Sequence, residues 1–225
     1  MKMTTKNNIK SDTCPTGKTW VSPCNRTTTN KIGEKHTNPV KGFCRANRPK
    51  KIYLTYKEIE LISKNFSKLT GPPSSNSLGF DDGNKYDVLI RGWVQYWNAI
   101  FNLKEPLDAD LVKALIGSES SFHWYEENDG ARGLMQITDS TRANMNDPKE
   151  LRNYLIKLNK KEIMDPNLSI CAGVRWLFRK KQIAESKHRM SWREAIREYK
   201  GYHDNEPQNG MSRIDELYKK IKERP

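Results

Sequence analysis

The chain has no run of apolar residues long enough to span a bilayer. Its opening, MKMTTKNNIKSDTC, has basic residues but no apolar stretch behind them, so it does not read as a secretory leader. Synthesis in the cytoplasm without a signal peptide is the expectation. There is no internal repeat, and little in the sequence alternates with the period of a strand. A mostly helical protein is left.

Acidic residues are also scarce. Asp and Glu number 27 against 40 Lys and Arg, a formal net charge of +13. Such a charge favours polyanionic partners: nucleic acid, an anionic membrane or the acidic bacterial wall. No RNA or DNA motif appears, and the basic residues are spread along several segments, so no nucleic-acid partner is expected. Cysteines number four. Cys14, Cys24 and Cys44 fall early, with His36 among them. Three Cys and one His could form a zinc site, but the spacing is wide and lacks a C-x-x-C pair, which favours a disulfide or free thiols. Neither metal nor cofactor is expected. Cys171 sits in an apolar helical pattern and reads as a small buried residue.

At 225 residues the chain has room for one sizeable core and a smaller appendage. Residues 1 to about 50 show neither helical nor strand periodicity and read as irregular. Thr55 and Glu58 are spaced as a capping box, with Ile59, Ile62 and Phe66 following at helical intervals. The breaker GPPSSNSLGFDDGN at 71–84 is the best linker candidate. The division expected is therefore a basic, cysteine-containing region 1–85 with one helix, then a helical domain 86–225. In that domain Leu89, Trp93, Trp97 and Ile100 form a stripe, and LDADLVKALIGSESSF is a helix starting near Asp108 or Asp110. Ile170, Gly173, Val174 and Leu177 mark another helix. Ser191 and Glu194 open a third, with Trp192, Ala195, Ile196 and Tyr199 on its apolar face. IDELYKKIKERP forms a last basic helix.

Glu119 stands out on the helical wheel. Leu111, Leu115 and Glu119 share one row; Val112, Ile116 and Glu119 share the next; Lys113 and Gly117 lie elsewhere. A carboxyl at the end of an apolar stripe is costly unless paired or neutral. A carboxyl kept protonated by burial is what glycoside cleavage needs, because the leaving oxygen must receive a proton. The alternative is a Glu at a helix end that reaches water or pairs with an Arg, and geometry alone favours it.

Four segments appear in order: ALIGSESSF, GARGLMQIT, DPNLSICAGVRWL and REAIREYKGY. Together, over roughly residues 105 to 205, they resemble the soluble lytic transglycosylase family, with its goose-type lysozyme fold. The resemblance implies an all-α, lysozyme-like domain with a small, largely irregular N-terminal region. Glu119 would be the acid and base, and Ser120 its neighbour that contacts substrate or steadies it. Gly133, Leu134, Met135 and Gln136 would line the cleft, and Tyr199 would point toward the Glu. Each has a plainer reading: Gly130 and Gly133 as turn residues, Leu134 and Met135 as core, Tyr199 as a core tyrosine. Lys200 stands where the family usually has Asn, and is expected to contact an acidic glycan.

The family implies cleavage of the bond between N-acetylmuramic acid and N-acetylglucosamine in peptidoglycan strands, leaving a 1,6-anhydro sugar. A muramidase would need a second carboxylate, with Asp129 the candidate among Glu126, Glu127, Asp129 and Asp139. Asp129 reads more readily as a turn residue. A third reading is an inactive wall-binding module. With no leader, a wall enzyme would reach the periplasm or cell exterior as an injected antibacterial effector or as a phage lysin. The effector reading implies a secretion carrier and an immunity protein.

Overall fold

A computed structural model describes residues 18–21, 24–40, 43–46, 51–202 and 209–223. The chain forms two compact units, residues 1–50 and 51–225.

The first unit holds two antiparallel pairs. Strand β1 (Lys18–Val21) pairs with β4 (Phe43–Ala46), and β2 (Cys24–Thr29) pairs with β3 (Lys35–Val40). The β2–β3 turn is closed by the Asn30 side chain, whose Oδ1 accepts from the Ile32 and Glu34 amides at 3.0 and 2.9 Å. Gly33 supplies the positive φ there, +89°. These strands correct the expectation of an irregular region. The reason for the miss is physical: residues 27–39 are exposed throughout, so no buried face imposes a period of two. Of the expected cysteine and histidine cluster, Cys14 lies outside the described residues. His36 is exposed, with Nε2 3.9 Å from Glu34. Among the described residues no group of His, Cys, Asp and Glu is arranged to hold a metal ion.

The second unit is helical. Strand β5 (Tyr53–Leu54) leads into α1 (Tyr56–Ser63), where the Glu58 carboxylate accepts from the Thr55 amide at 3.0 Å, as the capping pattern anticipates. Then come α2 (Asp87–Phe101), α3 (Ala109–Glu119) and a small sheet of β6 (Glu127–Asn128), β7 (Ala131–Arg132) and β8 (Ile137–Thr138). Next are α4 (Asp139–Asn146), α5 (Pro148–Leu151) and β9 (Leu155–Ile156), which pairs in parallel with β5. Helices α6 (Pro166–Ser186), α7 (Trp192–Lys200) and α8 (Asn209–Lys222) complete it. No described helix is long and apolar enough to cross a membrane.

Helix α6 is the axis of this unit. Asp165 caps it, with Pro166 at its first position, and Ile170, Gly173, Val174 and Leu177 are buried as their spacing anticipates. Cys171 is buried and free. Helices α1, α2 and α7 pack on α6. The stripe expected on α2 is shifted. Trp93 and Trp97 are fully buried, but their companions are Ile90 and Val94, while Leu89 and Ile100 are only partly covered. Phe66 packs edge-on against Trp93 where Gly92 leaves room, since a Cβ on Gly92 would lie 2.0 Å from Phe66 Cδ2.

The contact boundary at 50/51 differs from the division expected at 85/86, and the 71–84 segment does not behave as a linker. Ser74 is buried and its amide donates to Asp110 Oδ1 at 2.7 Å. The Lys113 ammonium donates to Ser74 O at 2.7 Å and Asn84 Oδ1 at 2.8 Å. A Gly- and Pro-rich stretch is thus pinned to α3 by buried polar groups, which composition does not reveal.

Candidate active site

Helix α3 starts at Asp108, whose carboxylate accepts from the Asp110 amide, and ends at Glu119. Helix α8 fixes its far end: Arg213 donates to Gly117 O at 3.3 Å and to Ser121 Oγ at 3.1 Å. The helix is enclosed on nearly all sides, and Gly117 allows it, since a Cβ there would sit 3.2 Å from both Leu217 and Phe122. Leu111, placed on the core row by the wheel, is only half-buried, whereas Lys113 is fully buried. Glu119 itself is half-buried. Its side chain is 14 % exposed, and Lys200 Nζ donates to its Oε1 at 2.9 Å. The carboxylate therefore sits at the mouth of the core with a cation as partner, rather than alone.

Ser120 is buried, and its hydroxyl donates to Leu134 O at 3.1 Å. That bond ties the end of α3 to the loop Gly133–Gln136. Leu134 and Met135 are fully buried, so the core reading holds for both side chains. The loop backbone is the part held in place. The Met135 amide donates to Ser169 Oγ at 3.2 Å, and the Tyr199 hydroxyl donates to Met135 O at 2.6 Å. The amide of Gln136 braces the loop itself, donating to Gly133 O and Glu126 O at 2.9 and 3.2 Å. Burial, with the Glu119 charge second, pushes the Tyr199 phenol well above its ordinary pKa. Tyr199 is thus a neutral donor near Glu119, and its hydroxyl serves the loop.

Two glycines fit the loop to α6. Gly133 has φ +71°, and a Cβ there would lie 2.5 Å from Ile163 O. A Cβ on Gly173 would lie 2.6 Å from Met135 Cβ. Ser169 and Gly173 are residues whose part in the site the sequence did not single out. Both lie within the DPNLSICAGVRWL segment, but only packing shows which of its residues face the loop.

The carboxylates near Glu119 in sequence are engaged elsewhere. Glu127 pairs with Arg132 at 2.8 Å, Asp139 with Lys160 at 2.7 Å, and Glu126 accepts from Asn128 at 2.7 Å. Asp129 is exposed, with φ +47°, followed by Gly130 at +79°. These are the two central residues of the β6–β7 hairpin, so the turn reading accounts for Asp129 fully.

The structure brings Glu119, Ser120, the 133–136 loop, Tyr199 and Lys200 together, and leaves Asp129 at a hairpin tip. No curated protein and no solved structure gives a significant match to the chain. Residues 96–205 match the family model described as Transglycosylase SLT domain, which spans Glu119, the loop and Lys200. Residues 96–205 thus form an SLT transglycosylase domain, a lysozyme-like domain of a family that acts on peptidoglycan.

Proposed function

We propose that the protein is a lytic transglycosylase that cuts the bond from N-acetylmuramic acid to N-acetylglucosamine with Glu119 as its lone acid and base. The observation that carries this is the half-buried Glu119 at the end of α3, within an SLT domain and with no second carboxylate among its described contacts. Glu119 gives its proton to the glycosidic oxygen as the bond from the muramoyl C1 breaks. The sugar's acetamido oxygen closes on C1, forming a cyclic cation. The C6 hydroxyl then attacks C1, and the Glu119 carboxylate takes its proton. One glycosidic bond is exchanged for a 1,6-anhydro bond, no water is consumed, and Glu119 ends protonated as it began.

Lys200 would hold the Glu119 side chain in place before substrate arrives and pass to oxygens of the anionic glycan when it enters, which leaves Glu119 to take up the proton it then delivers. Mass analysis of products released from purified peptidoglycan tests the assignment. Anhydromuramoyl ends are expected. Reducing ends, one water heavier, would instead mean a muramidase, and the absence of any product would mean a binding module.

We further propose that the protein acts as an antibacterial effector, delivered to the wall and held in check by an immunity protein. The net charge of +13 suits an anionic wall. Expression with an added export signal is expected to lyse a bacterial host, and expression retained in the cytoplasm to leave it intact. Toxicity that persists inside the cytoplasm would overturn the wall as the target.

A further inference from the structure

Beside the cleft loop lies a shallow cavity of about 450 Å³ with Tyr86 and Trp124 among its lining residues. Met164 and Pro166 contribute the rest of its apolar wall, and Lys85, Lys161 and Asp165 its polar edge. Trp124 is 43 % exposed, while Trp93, Trp97, Trp176 and Trp192 are all buried. An indole left open beside a cavity is a flat apolar face with one polar handle. The Tyr86 hydroxyl is buried, and the exposed Lys85 ammonium at the cavity edge is its neighbour.

Both walls are fixed to the site. On one side, the His123 amide donates to Ser120 O at 2.9 Å, and the Gly133 amide to Glu126 O at 2.9 Å, so the Trp124 segment is tied at both ends. On the other, the turn Glu162–Met164 touches Gly133 through Ile163 O. The Asp165 carboxylate is occupied in capping α6, accepting from the Leu168 amide at 3.1 Å. Lys85 is exposed and reaches Asp82 at 2.9 Å; Lys161 is exposed. The edge therefore has two ammonium groups and one carboxylate already engaged.

We propose that this cavity is an accessory glycan subsite, in which one sugar ring of the strand stacks on Trp124 and a carboxylate on its substituent faces Lys161 and Lys85. This deepens the glycan-cleaving reading and rests on it for the ligand's identity. It assigns Trp124 a binding role away from the bond that is cut. A subsite of this kind contributes binding equally to ground and transition states, so it acts on KM and not on kcat.

The probe is a soluble N-acetylglucosamine tetrasaccharide, with binding followed calorimetrically and by acrylamide quenching of tryptophan fluorescence. The sugar is expected to shield the exposed indole from acrylamide. Trp124→Ala is expected to weaken binding by about tenfold, the scale of one aromatic face contact. Trp124→Phe is expected to keep most of the affinity. On peptidoglycan the same Trp124→Ala change is expected to raise KM with kcat retained. Unchanged tetrasaccharide binding in Trp124→Ala, or no binding in the wild type, overturns the subsite. Failure of the cleavage reading looks different: tetrasaccharide binding stays Trp124-dependent while no glycan is cut, and then the subsite stands.

Discussion

Replacing Glu119 with Gln is expected to lower peptidoglycan cleavage by about 10³-fold, within the range lost when a general acid–base group is removed. The change keeps the shape of the side chain and an oxygen that accepts from Lys200, whose Nζ lies 2.9 Å from Oε1. It removes the transferable proton and the basic oxygen that must recover one from the C6 hydroxyl. Both halves of the reaction fail together, so no partial activity with a different product is expected. Thermal unfolding serves as the control, and the midpoint should stay close to that of the wild type because Glu119 is at the edge of the core. Wall lysis that persists in Glu119→Gln sinks the mechanism. A variant that loses lysis and also unfolds early would point to a structural role for the ion pair.

The second large effect is expected at Lys113, which lies on α3 six residues before Glu119 and takes no part in the proposed reaction. Its side chain is fully buried and donates to Ser74 O, Asn84 Oδ1 and Asp87 Oδ2, the last at 3.0 Å. Burial pulls the Lys113 ammonium below its ordinary pKa and pushes the Asp87 carboxyl above its own. Lys113→Met leaves Asp87 and the Ser74 carbonyl without their partner, and removing one member of a buried pair costs about 3–5 kcal/mol. For a chain of this length that corresponds to a midpoint lowered by roughly 10 °C.

The pH dependence follows from the sign of the Asp87 shift. A carboxyl whose folded pKa stands above its unfolded value favours the fold when protonated, and loses that contribution as pH rises through the folded value. Without Lys113 the Asp87 pKa moves further up. The stability deficit of the variant is therefore expected to be small near pH 4 and to grow toward neutrality. Replacing both partners, Lys113→Met with Asp87→Leu, should recover much of the loss, because two apolar groups leave no stranded charge. A deficit that ignores pH and persists in the double variant would assign Lys113 to shape alone.

Much of the helical frame was legible in the residues. The Thr55–Glu58 capping pattern and the apolar spacing on α6 and α7 reflect local rules, since a helix repeats every 3.6 residues whatever surrounds it. The ordered segments around Glu119, the 133–136 loop and Tyr199 were legible too. They are short and local, and each contributes its residues from one element. Asp129 followed by Gly130 already carried the preference for a two-residue hairpin turn.

Contacts between distant segments were not legible. Lys113 reads as a polar residue off the apolar rows, and only the packing of 71–84 and α2 around α3 makes it a buried anchor. The 71–84 stretch reads as a linker because Gly, Pro and Ser interrupt helices. What it docks against is fixed by two hydrogen bonds at Ser74, whose amide donates to Asp110, 36 positions away, and whose carbonyl accepts from Lys113, 39 positions away. The ribbon of residues 27–39 escaped because its exposed residues have no buried face to impose an alternation. Glu119 shows the division most directly. Its place at the end of an apolar row follows from helical periodicity, a property of neighbours in the chain. Its partner, Lys200, comes from α7, 81 residues away. That pairing depends on how α7 packs against α6, and so on the tertiary structure alone.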